Sequence, residues 1–345
     1  MILGADPNNS TYYATASAFV GANSTAVQEV VSTAAAAINV KAIEDGIKSF
    51  AESSKVIMNA LDSVSQIHPV VSVVVLAFKA VITLELKRRS NDQKVIAIKL
   101  KMKDMVSVLL ELRSIKDPRQ TAPDGTTIEG RMQGLMQRIA DDITKCGNAC
   151  DTYTKKHVLV KVLKSPIWEG KLAGYGDLFD THRKEIQFAI SLHTSLGVEE
   201  ANVKLENLGD TVQSIDEGVN MLKLLRVLDS PREKEIWKLV KQKGGPKACL
   251  EDDNILKELA TSRSSQLQNS QGVVDNVKLG EVKQSLKEDV DKSLTANFTV
   301  FEKKLELQRA QLVSAMDRIV QRESDRVLSA ITSGPHDRVV DKVRQ

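Results

Sequence analysis

The chain has 345 residues, with 48 Lys and Arg against 45 Asp and Glu and a formal net charge of +3. That length suits two or three units of about 150 residues each, and so small a charge excess lacks the basic footprint of nucleic-acid binding, so no nucleic-acid partner is expected. Aromatics at 4% and only 8 prolines favour helix over an aromatic-rich β fold, and Cys146, Cys150 and Cys249 do not form the even-numbered framework of a disulfide-stapled secreted domain.

Residues 1–24 are small and polar and read as a disordered arm. No basic residue precedes Lys41 and no continuous apolar run follows the start, so a secretory signal is not expected and a cytoplasmic setting is. The sequons at Asn9, Asn23 and Asn297 carry no weight in that setting.

From about Thr25 the pattern is helical. Val27, Val30, Val31 and Ala34, then Ile43, Ile47, Phe50, Val56, Ile57, Leu61 and Val64, recur at three and four residues. Pro69 ends that helix, because the residue before a proline is pushed out of the α region, and it can open the next as a first-turn residue. The second helix, HPVVSVVVLAFKAVITLELKRR over residues 68–89, is the most apolar stretch in the chain. A membrane span needs about 20 predominantly apolar residues, and a charge near its centre costs roughly 2.5–3.5 kcal/mol. Pro69 to Leu84 is shorter than that and contains Lys79, so a fixed span is not expected. Its all-round apolarity makes it the predicted innermost helix of a bundle.

Ser90, Asn91 and Asp92 offer caps for a third helix, striped by Val95, Ile98, Met102, Met105, Val106, Leu109 and Leu112. Residues 116–127, KDPRQTAPDGTT, form a loop, and a fourth helix carries Ile128, Met132, Leu135, Met136, Ile139, Ile143 and Cys146 on one side. Four helices in sequence predict an N-terminal four-helix bundle over residues 25–165. A central helical region over 166–245 follows, opened by Ser165-Pro166. Its heptad seam of Leu205, Leu208, Val212, Ile215, Val219 and Leu222 is long enough for helix pairing. Ser230-Pro231-Arg232-Glu233 is a capping-box helix start. Residues 246–345 form a helical tail, in which 273–333 read as one long amphipathic helix, interrupted only near Gly280 and ended by Gly334-Pro335. The fold class expected is therefore all-α.

Catalytic signatures are missing from the sequence. Gly170-Lys171-Leu172-Ala173-Gly174-Tyr175-Gly176 lacks the order of a Walker loop. Cys146 and Cys150 share a helix face but do not complete a zinc site, so core packing is their expected role. His182 with Glu185, and His193 with Glu199 and Glu200, lack the repeated Glu-x-x-His order of di-metal bundles and read as solvated or capping histidines. Glu251-Asp252-Asp253-Asn254 lacks the glycine and terminal glutamate of a calcium loop. No enzyme activity, metal or cofactor is expected.

Lys87, Arg88, Arg89, Lys94, Lys99, Lys101 and Lys103 set seven cations against Asp92 alone between residues 87 and 103. They either line the wet side of two helices or form a basic surface that attracts anionic lipid, at about 1 kcal/mol per cation near the membrane.

The succession from Ile43 to Leu112, with the "HPVV" entry, "VVVLAFKAVITLELKRR", the "SND" turn and "KVIAIKLKMKDMVSVLLELR", resembles the four-helix N-terminal domains of the HeLo and mixed-lineage-kinase-like class. It is most similar to the versions in mushroom-forming fungi, ahead of STAND-type NTPase modules or in helical proteins. The resemblance spans roughly residues 25–165. It implies a cell-death or self-recognition effector or adaptor that oligomerises and engages anionic membranes at the periphery. The Walker motif, repeat array and kinase-like segment of full signalling proteins are missing, so only the effector role carries over. The rival expectation is a structural scaffold that pairs with protein partners or itself through its helices and has no membrane role.

Overall fold

The computed structural model describes residues 40–88, 92–115, 121–122, 124–194, 221–222, 224–261 and 279–332. The arm expected at 1–24, and Leu205, Leu208, Val212, Ile215 and Val219 of the heptad seam, lie outside these. Among the described residues the protein is all-α, apart from an isolated bridge between Thr121 and Thr127.

α1 (Val40–Ile67) buries Phe50, Ile57, Leu61 and Val64, which fall at helical spacing on one side. Pro69 stops it and sets a single 3-10 turn, Pro69–Val71, before α2 (Ser72–Leu86). The buried His68 fixes this corner, its Nε2 lying 3.0 Å from the Leu112 carbonyl and 2.9 Å from that of Ile115. α3 (Gln93–Ser107) starts where the Asp92 carboxylate accepts from the Lys94 amide at 3.2 Å, and tightens into a 3-10 stretch, Val108–Ser114. α4 (Ile128–Lys155) is capped by Thr127, whose hydroxyl accepts from Gly130 N at 3.1 Å. Short α5 (Val158–Leu163) and long α6 (Ser165–Thr194) follow, then helical residues at 221–222 and 224–227. α7 (Pro231–Gln242) begins with the capping box expected at Ser230 and Glu233, both arms formed. α8 (Gly245–Glu251), α9 (Asp253–Thr261), α10 (Leu279–Lys287) and α11 (Val290–Thr332) complete the described chain.

Two cores result. The larger runs from Phe50 in α1 through Phe78, Met102, Ile139 and Phe179 to Phe301 and Leu305 in α11. The smaller gathers Leu159 and Leu163 of α5, Ile236 and Val240 of α7, Cys249, Leu256, and Val282 and Leu286 of α10. Residue 165 therefore does not divide the packing: α6 and α11 bury Trp168, Phe179 and Phe301 in the same core as α1–α4, while α5 belongs to the smaller one.

The innermost helix is α3, not α2. Fourteen of its 15 residues, Lys94 through Ser107, are buried, against nine of 15 in α2. α3 is surrounded by α1, α2, α4 and α6, whereas part of the α2 surface is left for α11.

The tail helix breaks at Glu288 and Asp289; Gly280, where an interruption is expected, is the second residue of α10, and the chain immediately before Leu279 lies outside the described residues. The Asp289 carboxylate accepts from the amides of Asp291 and Lys292 at 2.7 and 3.3 Å, a side-chain cap that starts α11 afresh. Its 43 residues span about 65 Å at 1.5 Å each. The first half lies across α2 and α4. Phe301 seats on Gly147 of α4: a Cβ there would stand 2.7 Å from Phe301 Cζ and 2.9 Å from Val81 Cγ2. Around this wedge, Asn148 Nδ2 donates to the Leu294 carbonyl at 2.9 Å, and Asn297 Nδ2 donates to Asn148 Oδ1 at 2.8 Å and Asp151 Oδ2 at 2.9 Å.

Gly147→Ala is expected to lose about 1–3 kcal/mol through overpacking, and Phe301→Ala about 3–5 kcal/mol through the cavity it leaves. In urea denaturation the double variant should cost clearly less than the sum, because the added methyl then fills vacated space.

Candidate functional site

The basic run between residues 87 and 103 does not form a surface. Lys94, Lys99, Lys101 and Lys103 are each no more than 4% exposed, and each ammonium has a defined partner. Lys94 meets Glu169 at 3.2 Å, Asp229 and, at 3.8 Å, Glu233. Lys99 pairs with Glu85 of α2, and Lys101 with Asp180 of α6 at 2.8 Å. Lys103 donates to the Ser53 hydroxyl of α1 at 2.9 Å. Arg88 is half-buried between Asp151, Glu85 and the Thr154 hydroxyl. Lys87 is exposed and donates to Gln308 of α11 at 2.6 Å. Arg89 lies outside the described residues, as does the heptad seam apart from Leu222, which is half-buried against the larger core.

The reason is geometric. At about 100° per residue, positions 101 and 103 stand roughly 160° apart and 94 and 99 about 140° apart, so the four lysines cannot share one face of α3. Each is long enough to carry its ammonium outward to a carboxylate or hydroxyl on the neighbouring element while its stem packs among apolar side chains. Burial alone disfavours every one of these charges. At Lys94 burial is outweighed by the Asp229 bond and by the carboxylates of Glu233 and Glu169, so its ammonium is held above its ordinary range. At Lys103 burial wins over the Asp104 charge and pushes the ammonium down to about 8. Burial raises Asp104 itself, against the pull of Arg183 and Lys101.

His182, expected to be solvated or capping, is instead buried. Its two ring nitrogens lie 2.9 Å from Asp142 of α4 and Glu185 of α6. Cys146 and Cys150 sit fully buried in the larger core, where burial raises the Cys146 thiol well above its ordinary value. Among the described residues no group of three or more His, Cys, Asp or Glu is placed to hold a metal.

One cleft of about 360 Å³ opens at the seam between the two cores. Lys156 from the α4–α5 turn and Lys161 of α5 line it with Ser230, Pro231 and Glu233 at the start of α7 and Asp92 at the start of α3. Lys161 bonds Asp92 at 2.8 Å and lies 4.3 Å over the Tyr153 ring. Lys156 reaches out of the seam to Glu288 at 3.2 Å and Ser293 at 3.0 Å. Behind the cleft, Tyr153 Oη donates to Glu233 at 3.3 Å, joining it to the Lys94 network. Neither lysine stands out in the sequence, because the cleft is assembled from segments about 70 residues apart and has no local pattern.

Two consequences are measurable. Below about 8 both states keep the Lys103 proton and above its ordinary 10.5 both have lost it; between these the unfolded chain binds more protons, so stability rises with pH. Thermal unfolding at matched pH should show the wild type gaining about 3 kcal/mol relative to Lys103→Met across that window, because the opposing titration of the buried Cys146 thiol is common to both proteins. Separately, Asp180→Ala leaves the Lys101 ammonium buried without its carboxylate and should cost about 3–5 kcal/mol, whereas Lys101→Met with Asp180→Leu should be close to neutral. Comparison with protein-family models, with curated proteins and with solved structures finds no match to this chain.

Proposed function

We propose that the chain is a non-enzymatic, cytoplasmic signalling protein of the HeLo and mixed-lineage-kinase-like kind. It acts as a cell-death or self-recognition effector or adaptor with latent oligomerisation and anionic-membrane binding. In this reading α1–α4 are the effector four-helix bundle, and α11 is the long amphipathic helix that keeps it closed. One observation carries the proposal: Pro69–Leu86 matches a membrane-crossing helix in length and composition alone, though Lys79 lies within it, and it is flanked by α11, whose Phe301 shares the space over Gly147 with Val81. Lys94, Lys99, Lys101 and Lys103 are taken up inside the fold, so among the described residues of the run lipid contact in the closed form falls to Lys87. The others become available only if the helices separate.

A second reading, a scaffold that pairs through helices without touching lipid, is favoured by the outer side of α11. Val300 and Leu307, one heptad apart and on the same side, are exposed there at 51% and 64%, an apolar pair suited to a partner helix.

The test uses the full chain and Gly147→Leu, which displaces Phe301. Flotation with phosphatidylserine vesicles should be weak for the wild type, stronger for Gly147→Leu, and lost again when Lys87→Glu and Arg89→Glu are added. Binding by neither protein, or equal binding to neutral vesicles, removes the membrane role. Light scattering without lipid then supports the scaffold if the wild type is a stable oligomer whose mass falls on Leu307→Lys.

A further inference from the structure

We propose that Ser230 is a phosphorylation site and that Lys156 and Lys161 across the cleft receive its phosphate. The sequence contains two Ser-Pro dipeptides, Ser165-Pro166 and Ser230-Pro231, and both stand at helix starts. The fold separates them. Ser165 is 5% exposed, closed off in the turn from α5 into α6. Ser230 and Pro231 are exposed, and Ser230 has extended backbone, φ −60° and ψ 156°, the conformation in which a serine can be presented to a proline-directed kinase. The transfer needs a nucleoside triphosphate and such a kinase. Ser230 Oγ forms the new bond to the γ-phosphorus as the bond to the bridging β–γ oxygen breaks, the nucleoside diphosphate leaves, and the hydroxyl proton passes to the kinase's base.

The cleft has room for the product. Its volume of about 360 Å³ is some ten times the roughly 30 Å³ share of a water molecule. Its cations, Lys156 and Lys161, are each held by a single carboxylate, Glu288 and Asp92 respectively. A phosphoserine carries about −1.5 to −2 charges and three acceptor oxygens, which gives it the advantage over either carboxylate for the same ammonium. Against it stand Glu233, which accepts from Ser230 N at 2.8 Å, and Asp229, which is occupied by Lys94. Repulsion from Glu233 opens that arm of the capping box, while a phosphate oxygen takes over the Ser230 hydroxyl's role as acceptor from Glu233 N, a 3.2 Å bond in the unmodified protein. Capture of Lys156 also removes its bonds to Glu288 and Ser293, loosening the elbow between α10 and α11. The site stands whether or not the protein acts at membranes.

The full chain is incubated with magnesium ATP and a cyclin-dependent-type kinase and mapped by mass spectrometry. Phosphate is expected at Ser230 and not at Ser165, and Ser230→Ala abolishes it. The phosphoprotein is then titrated by phosphorus NMR. At low salt the second ionisation of the phosphoserine should fall below its ordinary value of about 6, and Lys156→Gln with Lys161→Gln should return it there. About 1 M salt should do the same in the unsubstituted protein, which keeps the readout should the double variant not fold. Failure of transfer to Ser230, equal transfer to Ser165, or an ionisation at or above about 6 that ignores both lysines and salt would overturn the proposal.

Discussion

Four lysine ammoniums taken out of water on one helix set the terms for everything packed around it. Each buried charge costs several kcal/mol unless it is met by an opposite charge or a complete set of hydrogen bonds. α3 sends Lys99 to α2, Lys94 and Lys101 to α6, Lys94 also to Asp229 and Glu233, and Lys103 to α1. α1, α2 and α6 are thereby fixed in register as well as packed. An apolar seam alone tolerates sliding by a turn, but Glu85, Glu169 and Asp180 each have one position from which they reach their lysine. The net energy of these pairs is small, and their effect is to make one arrangement of the helices far better than its competitors.

The fold class and most helix boundaries were legible because they depend on local chemistry. Asp92 caps α3 and Ser230 with Glu233 forms its box, each read from side chains within three residues of the helix start. The destination of the lysines was harder to read, since a run of positive charge usually means water. The warning lay in the angles: residues 94, 99, 101 and 103 surround α3, and so do its apolar residues, which is the pattern of a helix buried on all sides. The break at Asp289 carries no glycine or proline to announce it, and only its carboxylate, capping the amides of Asp291 and Lys292, marks the stop. His182 could not be placed, because its partners Asp142 and Glu185 lie on two helices and only one of them is near in sequence. The cleft was equally hidden, built from residues 92, 156–161 and 230–233.

The two cores meet along a seam that is polar. Lys94, Glu169, Asp229, Glu233, Tyr153 and Arg226 form one connected set there, and Lys156 and Lys164 carry the connection to the α10–α11 elbow. The Lys94 set is buried and screened little by salt, so of these contacts Lys156 with the more exposed Glu288 is the one most easily altered from solution.

Phe301 and Gly147 belong to segments more than 150 residues apart, and that separation governs how the protein is made. α2 leaves the ribosome about 215 residues before Phe301 does; at about 5–20 residues per second the most apolar helix of the chain waits some 10–45 s for its cover. During synthesis the half-built helical core therefore carries bare the same α2 flank that the finished protein keeps under α11.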